Sequence, residues 1–201
     1  MPDLVTSLPL LIGVAVAGYL LGSIPFGIVM ARLFGLGDLR QIGSGNIGAT
    51  NVLRTGNKVA AFLTLIGDAG KGGAAVLLAR ALFAEDAAQL AGFAAFLGHC
   101  FPVFLGFKGG KGVATWLGTM LALAFPLGLA ACATWLVTAL VFRISSLAAL
   151  VAAALSPVIA LVFGWQSLVL ISVALAALIF YRHSANIARI ISGEEPRIGR
   201  K

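Results

Sequence analysis

The sequence predicts an all-α, polytopic membrane protein with about seven transmembrane helices. Its 201 residues are 60% hydrophobic and only 10% charged, and the mean hydropathy is +1.05. A soluble domain of this size needs a more polar surface, so the bilayer is the expected solvent. The net charge is +7. In so apolar a chain, the excess of positive charge is typical of contact with anionic lipid headgroups, of a fixed orientation in the membrane or of an anionic substrate. It argues against nucleic acid as a partner.

The first half of the chain contains three apolar runs separated by polar sequence. The first run covers residues 8–30, and Pro25 is expected to kink it because proline removes a helical donor. The second run covers residues 59–83 and is interrupted by the sequence GDAGKGG. A short acidic turn, AEDAAQ, is expected before the third run over residues 90–105. Each run is close to the roughly 20 residues that cross a bilayer.

The second half begins with thirty apolar residues, 113–142. As one helix they would be about 45 Å long, which exceeds a hydrocarbon core of about 30 Å. Phe125 and Pro126 near the middle therefore predict a hairpin of two shorter helices. Runs at 145–163 and 168–181 follow, and a polar, basic tail closes the chain.

Charge selects among the possible topologies. With the polar loops at 32–58 and 108–111 in the cytoplasm and the acidic turn outside, a hairpin at Pro126 places Arg143 and the tail in the cytoplasm. One long helix would place the basic tail outside. We therefore predict seven segments, with the N-terminus outside and the C-terminus cytoplasmic. A five-segment alternative, which also merges residues 145–181, satisfies the charge rule but needs a much longer helix.

The organisation predicted for residues 1–201 is a single integral membrane domain. No cleavable signal peptide is expected, because Asp3 and no basic residue precedes the first apolar run. Cys100 and Cys132 lie in apolar sequence without metal-ligand spacing, so neither a disulfide nor a metal site is expected.

The first polar motif, RQIGSGNIGATNVLR, covers residues 40–54. Its glycines allow successive backbone N–H groups to face one concavity, which is an anion-binding nest. The alternative is a structural turn with helix caps. The side chains that could add donors are Ser44, Asn46, Thr50, Asn51 and the planar fork of Arg54.

The second polar motif, KGGKG, repeats this pattern with Lys108 and Lys111 on a glycine-rich backbone. The alternative, positive charge that only sets orientation, explains the lysines but not the glycines between them. A nucleotide-binding P-loop is excluded at Lys71 and at Lys111. Leu65 and Leu105 occupy the position of its first glycine, and glycine replaces the following Ser or Thr.

The remaining polar residues within apolar sequence are few. Asp68 and Lys71 lie three residues apart and can pair across one helical turn, which leaves either helix packing or a direct ligand role for Lys71. His99 is more readily interpreted as a structural residue than as a catalyst. His183 opens the polar tail and is open to either interpretation.

Four segments carry a family resemblance: GSIPFG, GSGNIGATNVLR, GHCFPVFLGFKGGKGVAT and YRHSANIARIISGEE. In order and spacing they resemble the bacterial acyl-phosphate:glycerol-3-phosphate acyltransferases, over essentially the whole chain. The resemblance implies acyl transfer from an acyl phosphate to the 1-hydroxyl of glycerol 3-phosphate, giving lysophosphatidic acid for phospholipid synthesis, without a cofactor. It also implies a multi-pass protein of the bacterial inner membrane whose active site faces the cytoplasm.

The resemblance carries roles to individual residues. Ser44 and His183 are the expected catalytic residues. Ser184-Ala185 replaces the charged pair usual in the third family motif, so no role is carried to those two positions. The expected substrate-binding residues, including those of the glycine loops, are Gly45, Asn46, Thr50, Arg54, Lys108, Gly109, Gly110, Lys111, Asn186 and Glu195.

The implied chemistry fits this set of residues. Both substrates carry phosphate, and the acyl phosphate has a good leaving group, so aligning the hydroxyl and stabilising the oxyanion are the main tasks. Either His183 or the phosphate of glycerol 3-phosphate could accept the proton. The rival interpretation is a transporter of an anionic metabolite, which would also use broken helices and glycine-rich helix ends but normally shows an internal repeat.

Overall fold

A computed structural model of the chain describes residues 2–199, so Arg200 and Lys201 of the predicted cytoplasmic tail lie outside the described residues. Within this range all regular secondary structure is helical, and there is no β-strand. Three short 3-10 turns, Leu39–Gln41, Val103–Leu105 and Gln166–Leu168, accompany the α-helices. The helices are α1 (Leu8–Gly22), α2 (Phe26–Leu33), α3 (Ala49–Leu53), α4 (Lys58–Leu82), α5 (Glu85–Cys100), α6 (Val113–Leu123), α7 (Phe125–Phe142), α8 (Ser145–Val162), α9 (Val169–Arg182) and α10 (Ser184–Ile191).

The helices divide into two compact units. The N-terminal unit is Asp3–Leu123 and contains α1 to α6. The C-terminal unit starts at Ala124 and contains α7 to α10. The assignment of residues 1–201 to one acyltransferase domain stays a prediction.

Five helical segments are long and apolar enough to cross a membrane: Leu8–Leu33, Lys58–Leu82, Glu85–Leu105, Phe125–Phe142 and Ser145–Val162. A sixth is present if Gln166–Arg182 and Ser184–Ile191, which meet at a bend of 65°, are counted together. The remaining predicted segment is α6, whose 11 residues reach only about 16 Å. The all-α polytopic prediction is confirmed, with α6 as a short apolar helix. The orientation of the termini stays a prediction.

The helices of the first half differ from the predicted apolar runs at two places. The polar sequence GDAGKGG lies inside the second run, and α4 continues through it without a break. Its Gly72 lies so close to α6 that a Cβ there would be only 2.4 Å from the carbonyl oxygen of Thr115, so the glycine permits close helix packing. The acidic turn is also absent, since Glu85 opens α5. Carboxylates in a first turn are favoured by the helix dipole.

The breaks predicted at prolines are confirmed. Before Pro25 α1 ends at Gly22, and α2 begins at Phe26. Ala124 separates α6 from α7, and Pro126 lies in the first turn of α7, where its missing N–H is not needed. The five-segment alternative is wrong, because both of the helices that it merges are broken.

Small residues bring the helices of the N-terminal unit together. A Cβ on Gly22 of α1 would lie 2.0 Å from the carbonyl oxygen of Ala95 in α5, and one on Gly118 of α6 would lie 2.0 Å from that of Ala69 in α4. Such close backbone approach is typical of membrane helices, which gain little from burying apolar surface against each other. Many large apolar side chains accordingly remain on the outside. The core beneath the first polar motif consists of Ala31, Leu39, Val52, Ala60 and Ala61.

Candidate active site

Asn51 organises the first glycine loop, the segment from Ile42 to Gly48. Its side chain is buried and its Nδ2 donates to the carbonyl oxygens of Leu39, at 2.9 Å, and of Asn46, at 2.7 Å. Its Oδ1 accepts from the Ser44 backbone N–H at 3.0 Å and from the Ser44 hydroxyl at 3.3 Å. Asn51 therefore holds the loop closed from inside.

The loop uses its own backbone donors. Besides the N–H of Ser44, that of Gly45 donates to the carbonyl oxygen of Ile42 at 2.9 Å, and that of Ile47 donates to Oδ1 of Asn46 at 2.8 Å. The N–H groups of Ser44, Gly45 and Ile47 are thus engaged in holding the loop, so the predicted anion nest would have to use other backbone donors of this segment. The side chains of Ser44 and Arg54 add donors at the same surface.

Two glycines of the loop have left-handed backbone, with φ of +54° at Gly43 and +67° at Gly45. A Cβ at Gly43 would lie 2.6 Å from Cδ of Arg54, so the arginine side chain crosses directly over this glycine. Arg54 is exposed, and its Nη1 is 3.5 Å from Oδ1 of Asn51. The guanidinium and the Ser44 hydroxyl thus share one neighbour and lie at the same surface. Thr50 is also exposed, on α3.

The second glycine loop, Lys108 to Gly112, lies against the end of α5. The Gly110 N–H donates to the carbonyl oxygen of His99 at 3.1 Å. A Cβ on Gly109 would lie 2.2 Å from that same oxygen, and one on Gly110 would lie 2.2 Å from Nε2 of the His99 ring. Any larger residue at either glycine would push the loop off the helix. Lys108 is exposed, and Lys111 is half-buried.

The two loops are neighbours within the N-terminal unit. Nη2 of Arg40 reaches the carbonyl oxygen of Lys108 at 3.4 Å, and the carbonyl oxygen of Arg40 lies 3.2 Å from where a Cβ on Gly45 would be. Arg40 was not among the predicted site residues, although it opens the first motif. The structure therefore brings the first two predicted motifs together.

A cavity of about 500 Å³ opens in the same unit. Its polar side chains are Arg32, Asp38 and Arg40, and its apolar wall includes Ile28 and Leu105. None of the predicted site residues lines it. Arg32 and Arg40 therefore add cationic charge to this cavity, and Arg40 also contacts the second loop. Neither arginine was predicted as a site residue.

Three of the buried ionisable side chains of this unit lie together between α4 and α5. Nζ of Lys71 is 2.9 Å from Oδ1 of Asp68, which confirms the predicted pairing across one turn of α4. The same oxygen lies 3.4 Å from Nδ1 of His99 in α5. Lys71 also donates to the carbonyl oxygen of Ile24 at 2.7 Å. We call Asp68, Lys71 and His99 the buried cluster.

His183 of the C-terminal unit lies at the junction of α9 and α10 and is only 2% exposed. Its Nδ1 is 2.8 Å from the carbonyl oxygen of Ile179. Because a carbonyl oxygen can only accept, Nδ1 carries the proton, and Nε2 of the neutral ring is an acceptor. In this tautomer Nε2 is the basic nitrogen of the ring.

Glu195 joins the tail of the C-terminal unit to its helices. One carboxylate oxygen accepts from Nδ2 of Asn186 and, at 2.7 Å, from the hydroxyl of Ser146 in α8. The other accepts from Nε of Arg189 at 2.7 Å. Burial alone raises the pKa of Glu195, but these hydrogen bonds and the charge of Arg189 outweigh it and leave the pKa below its ordinary value.

Sequence reasoning overlooked the residues that hold the motifs in place. The sequence predicts Asn51 only as a donor and gives no role to Ser146. Ser146 lies 49 positions from Glu195, so no local pattern could have linked them. Among residues 2–199, no group of three or more His, Cys, Asp or Glu side chains could hold a metal ion.

A model of the glycerol-3-phosphate acyltransferase family matches residues 12–193. The chain belongs to this family. The glycerol-3-phosphate acyltransferase of Jannaschia sp. (strain CCS1) is 72% identical over 201 residues, covering 100% of this chain and 99% of the relative. That of Dinoroseobacter shibae is 65% identical with the same coverage of both chains. The family assignment makes this protein an acyltransferase and replaces the transporter alternative.

Two solved structures share the fold. The crystal structure of PlsY (YgiH), an integral membrane glycerol 3-phosphate acyltransferase, in its glycerol 3-phosphate form is 41% identical with a TM-score of 0.89, covering 94% of this chain and 96% of that one. The lysophosphatidic acid form is 38% identical with a TM-score of 0.86, covering 94% and 95%. The helical architecture is therefore that of an integral membrane enzyme.

Proposed function

We propose that this protein transfers an acyl group from an acyl phosphate to the 1-hydroxyl of glycerol 3-phosphate, giving lysophosphatidic acid. The observation that carries the proposal is the 41% identity and shared fold with an enzyme solved in a glycerol 3-phosphate form. The acyl phosphate donor follows from the resemblance of the four sequence motifs.

The reaction forms one bond and breaks one. The glycerol 1-oxygen attacks the carbonyl carbon of the acyl phosphate and forms a tetrahedral oxyanion. The bond from that carbon to the phosphate oxygen then breaks, and inorganic phosphate leaves with the electron pair. The hydroxyl proton must be accepted during attack. Because the leaving group is already good, alignment and charge stabilisation supply most of the rate.

The glycine loops of the N-terminal unit are the proposed phosphate-binding elements. Arg54 offers a planar fork for two phosphate oxygens. Lys108 and Lys111 add cationic charge on a loop that Gly109 and Gly110 hold against the end of α5. Gly45 contributes through the left-handed turn that it permits, since its N–H is already engaged in the loop.

Ser44 acts as a hydrogen-bond donor and does not form an acyl-enzyme. Its hydroxyl has Asn51 as its partner, and a neutral amide cannot accept a proton as an activating base would. When it rotates away from Asn51, the same hydroxyl can donate its one proton to a substrate phosphate or to the developing oxyanion. Direct transfer between the substrates is the mechanism that these partners favour.

His183 is the proposed proton acceptor, through Nε2. The hydrogen bond from Nδ1 to Ile179 fixes the required tautomer. Asn186 is oriented by Glu195, so Asn186 is the substrate-binding candidate and Glu195 is a positioning residue. Asn46 holds the backbone of the first loop, and exposed Thr50 remains a candidate donor at the start of α3.

The decisive experiment is an assay of the purified protein in detergent with glycerol 3-phosphate and a chemically prepared acyl phosphate. We expect lysophosphatidic acid and inorganic phosphate in equal amounts, and no product when acyl-CoA replaces the acyl phosphate. The control is Arg54→Ala purified in the same way. Absence of product from the unaltered protein would contradict the proposed donor and acceptor.

We further propose a bacterial inner-membrane location with the active site facing the cytoplasm, because the basic segments would then lie inside. The test uses single cysteines in a background lacking Cys100 and Cys132. Ala84→Cys lies between α4 and α5, and Ser192→Cys lies in the exposed tail. On intact spheroplasts, an impermeant maleimide should label only the cysteine at position 84. Equal labelling of both positions contradicts this orientation.

A further inference from the structure

The buried cluster has no part in the chemistry described so far, yet it lies inside the N-terminal unit at a high energetic cost. The side chains of Lys71, Asp68 and His99 are 1%, 2% and 5% exposed. Ionisable groups within a membrane-spanning helix are expensive. A buried ion pair is often no more stabilising than apolar residues of the same size. Helix packing alone therefore does not account for these three residues.

One end of the cluster touches the second glycine loop. The His99 ring has Asp68 at Nδ1, and its Nε2 lies where a side chain on Gly110 would begin, 2.2 Å from that Cβ position. The carbonyl oxygen of His99 accepts from the Gly110 N–H at 3.1 Å. Gly110 therefore contacts both the backbone and the ring of one residue, and the position of that ring depends on Asp68.

The other end of the cluster reaches the break between α1 and α2, and α2 packs on the first glycine loop. Lys71 donates to the carbonyl oxygen of Ile24, in the break between α1 and α2, where the helical ladder is interrupted by proline. Just beyond the break, Gly27 packs so tightly on the first loop that a Cβ there would nearly coincide with the carbonyl oxygen of Ile47. Fixing the break therefore fixes where α2 supports that loop.

We propose that Asp68, Lys71 and His99 are positioning residues that set the two glycine loops at the separation needed for acyl transfer. The inference rests on the proposed function of those loops in binding phosphate. The cluster forms a continuous path of contacts from Ile24 to Gly110 through two helices: polar contacts link Ile24, Lys71, Asp68 and His99, and the His99 ring packs on Gly110. A displacement of about 1 Å at a reacting centre can cost about a hundredfold in rate, so such a path has a direct kinetic consequence.

The first test replaces the ion pair with apolar residues of similar size, Asp68→Leu together with Lys71→Met. A pair that served only packing would leave activity unchanged and melting temperature equal or higher. We expect a folded protein whose kcat/KM for glycerol 3-phosphate falls about tenfold or more. The matched control is Glu85→Gln, which removes a half-buried ion pair between Arg80, near the C-terminal end of α4, and Glu85, at the start of α5, and should keep wild-type kinetics. Unchanged kinetics in the double variant would overturn the proposal.

The second test probes the contact between His99 and Gly110 and stands even if the first variant does not fold. Gly110 does not have positive φ, so Gly110→Ala is opposed by the His99 ring and not by backbone strain. We expect Gly110→Ala to be nearly inactive, and His99→Ala with Gly110→Ala to be at least about threefold more active, since the methyl group then occupies space left by the ring.

Equal activity of Gly110→Ala and of the double variant, His99→Ala with Gly110→Ala, would overturn the positioning role. In both tests the unaltered enzyme is assayed first. No product from it would contradict the proposed function, whereas an active enzyme that tolerates all these substitutions would contradict only the positioning role.

Discussion

The two units hold their motifs by different means. In the N-terminal unit, the glycine loops are shaped by backbone: left-handed turns at Gly43 and Gly45, and a Gly110 pressed against His99. In the C-terminal unit, the motif at residues 181–195, which we call the third motif, is largely helical and depends on side chains, with Glu195 at the centre of its hydrogen bonds. We therefore expect activity to fall when atoms are added to the glycine loops, and to fall when polar groups are removed from the third motif.

The two histidines illustrate the same difference. Both are buried, and each has an oxygen near Nδ1. For His183 that oxygen is a backbone carbonyl, which sets a tautomer. For His99 it is the carboxylate of Asp68, and the other side of the ring is filled by the second loop. Residue type alone does not separate a proton acceptor from a positioning residue, whereas its partners do.

The largest effect is expected from removing the base. His183→Ala should lower kcat by about a hundredfold or more, the usual contribution of a general base. His183→Asn is the sharper variant, because its amide can still donate to Ile179 but has no basic nitrogen. We expect the same loss from both, measured as lysophosphatidic acid formation. An active His183→Asn would assign the proton to the phosphate of glycerol 3-phosphate.

A smaller loss is expected from one added methyl group in the first loop. Gly45→Ala introduces a Cβ at φ of +67°, which costs about 1–2 kcal/mol for an L-residue, and should lower activity roughly tenfold through displacement of the loop. The matched control is Gly48→Ala, where φ is −81° and the nearest atom to the new Cβ is 3.8 Å away. Similar activity in Gly45→Ala and Gly48→Ala would contradict the prediction that the left-handed backbone at Gly45 is needed for activity.

Arg54→Lys keeps the charge and changes only its geometry. Because lysine cannot bind two phosphate oxygens in one plane, the KM for glycerol 3-phosphate should rise by severalfold to about tenfold. Melting temperature should not change, since Arg54 is exposed. The control is Lys58→Arg, the reverse exchange at another exposed position. A wild-type KM in Arg54→Lys would remove this residue from the phosphate site.

The smallest effect concerns stability and pH. The folded pKa of Glu195 lies below its unfolded value, so its stabilising contribution is complete above the unfolded pKa and is lost as pH falls through the folded pKa. Melting temperature of the wild type should therefore decline over that acidic range more steeply than that of Glu195→Gln. Parallel curves for the two proteins would show that Glu195 does not couple folding to protonation.

Much of the architecture could be predicted from local sequence. Apolar runs indicate membrane helices, and the breaks at Pro25 and Pro126 follow from the missing proline donor. Lys71 and Asp68 pair because residues three apart share a helix face. The glycine motifs were also recognisable, although the internal hydrogen bonds of Ser44 and Gly45 were not, because loop geometry depends on which acceptors fold back beside them.

Sequence by itself therefore determined the membrane-helix architecture, its main breaks and the polar motifs that carry the family resemblance. Only the tertiary structure decided that GDAGKGG stays helical, that Asn51 closes the first loop and that His99 joins Asp68 to Gly110. The physical reason is the range of the contacts. Helical periodicity links residues within one or two turns, whereas His99 and Asp68 meet because two helices approach closely, an arrangement that no local pattern encodes.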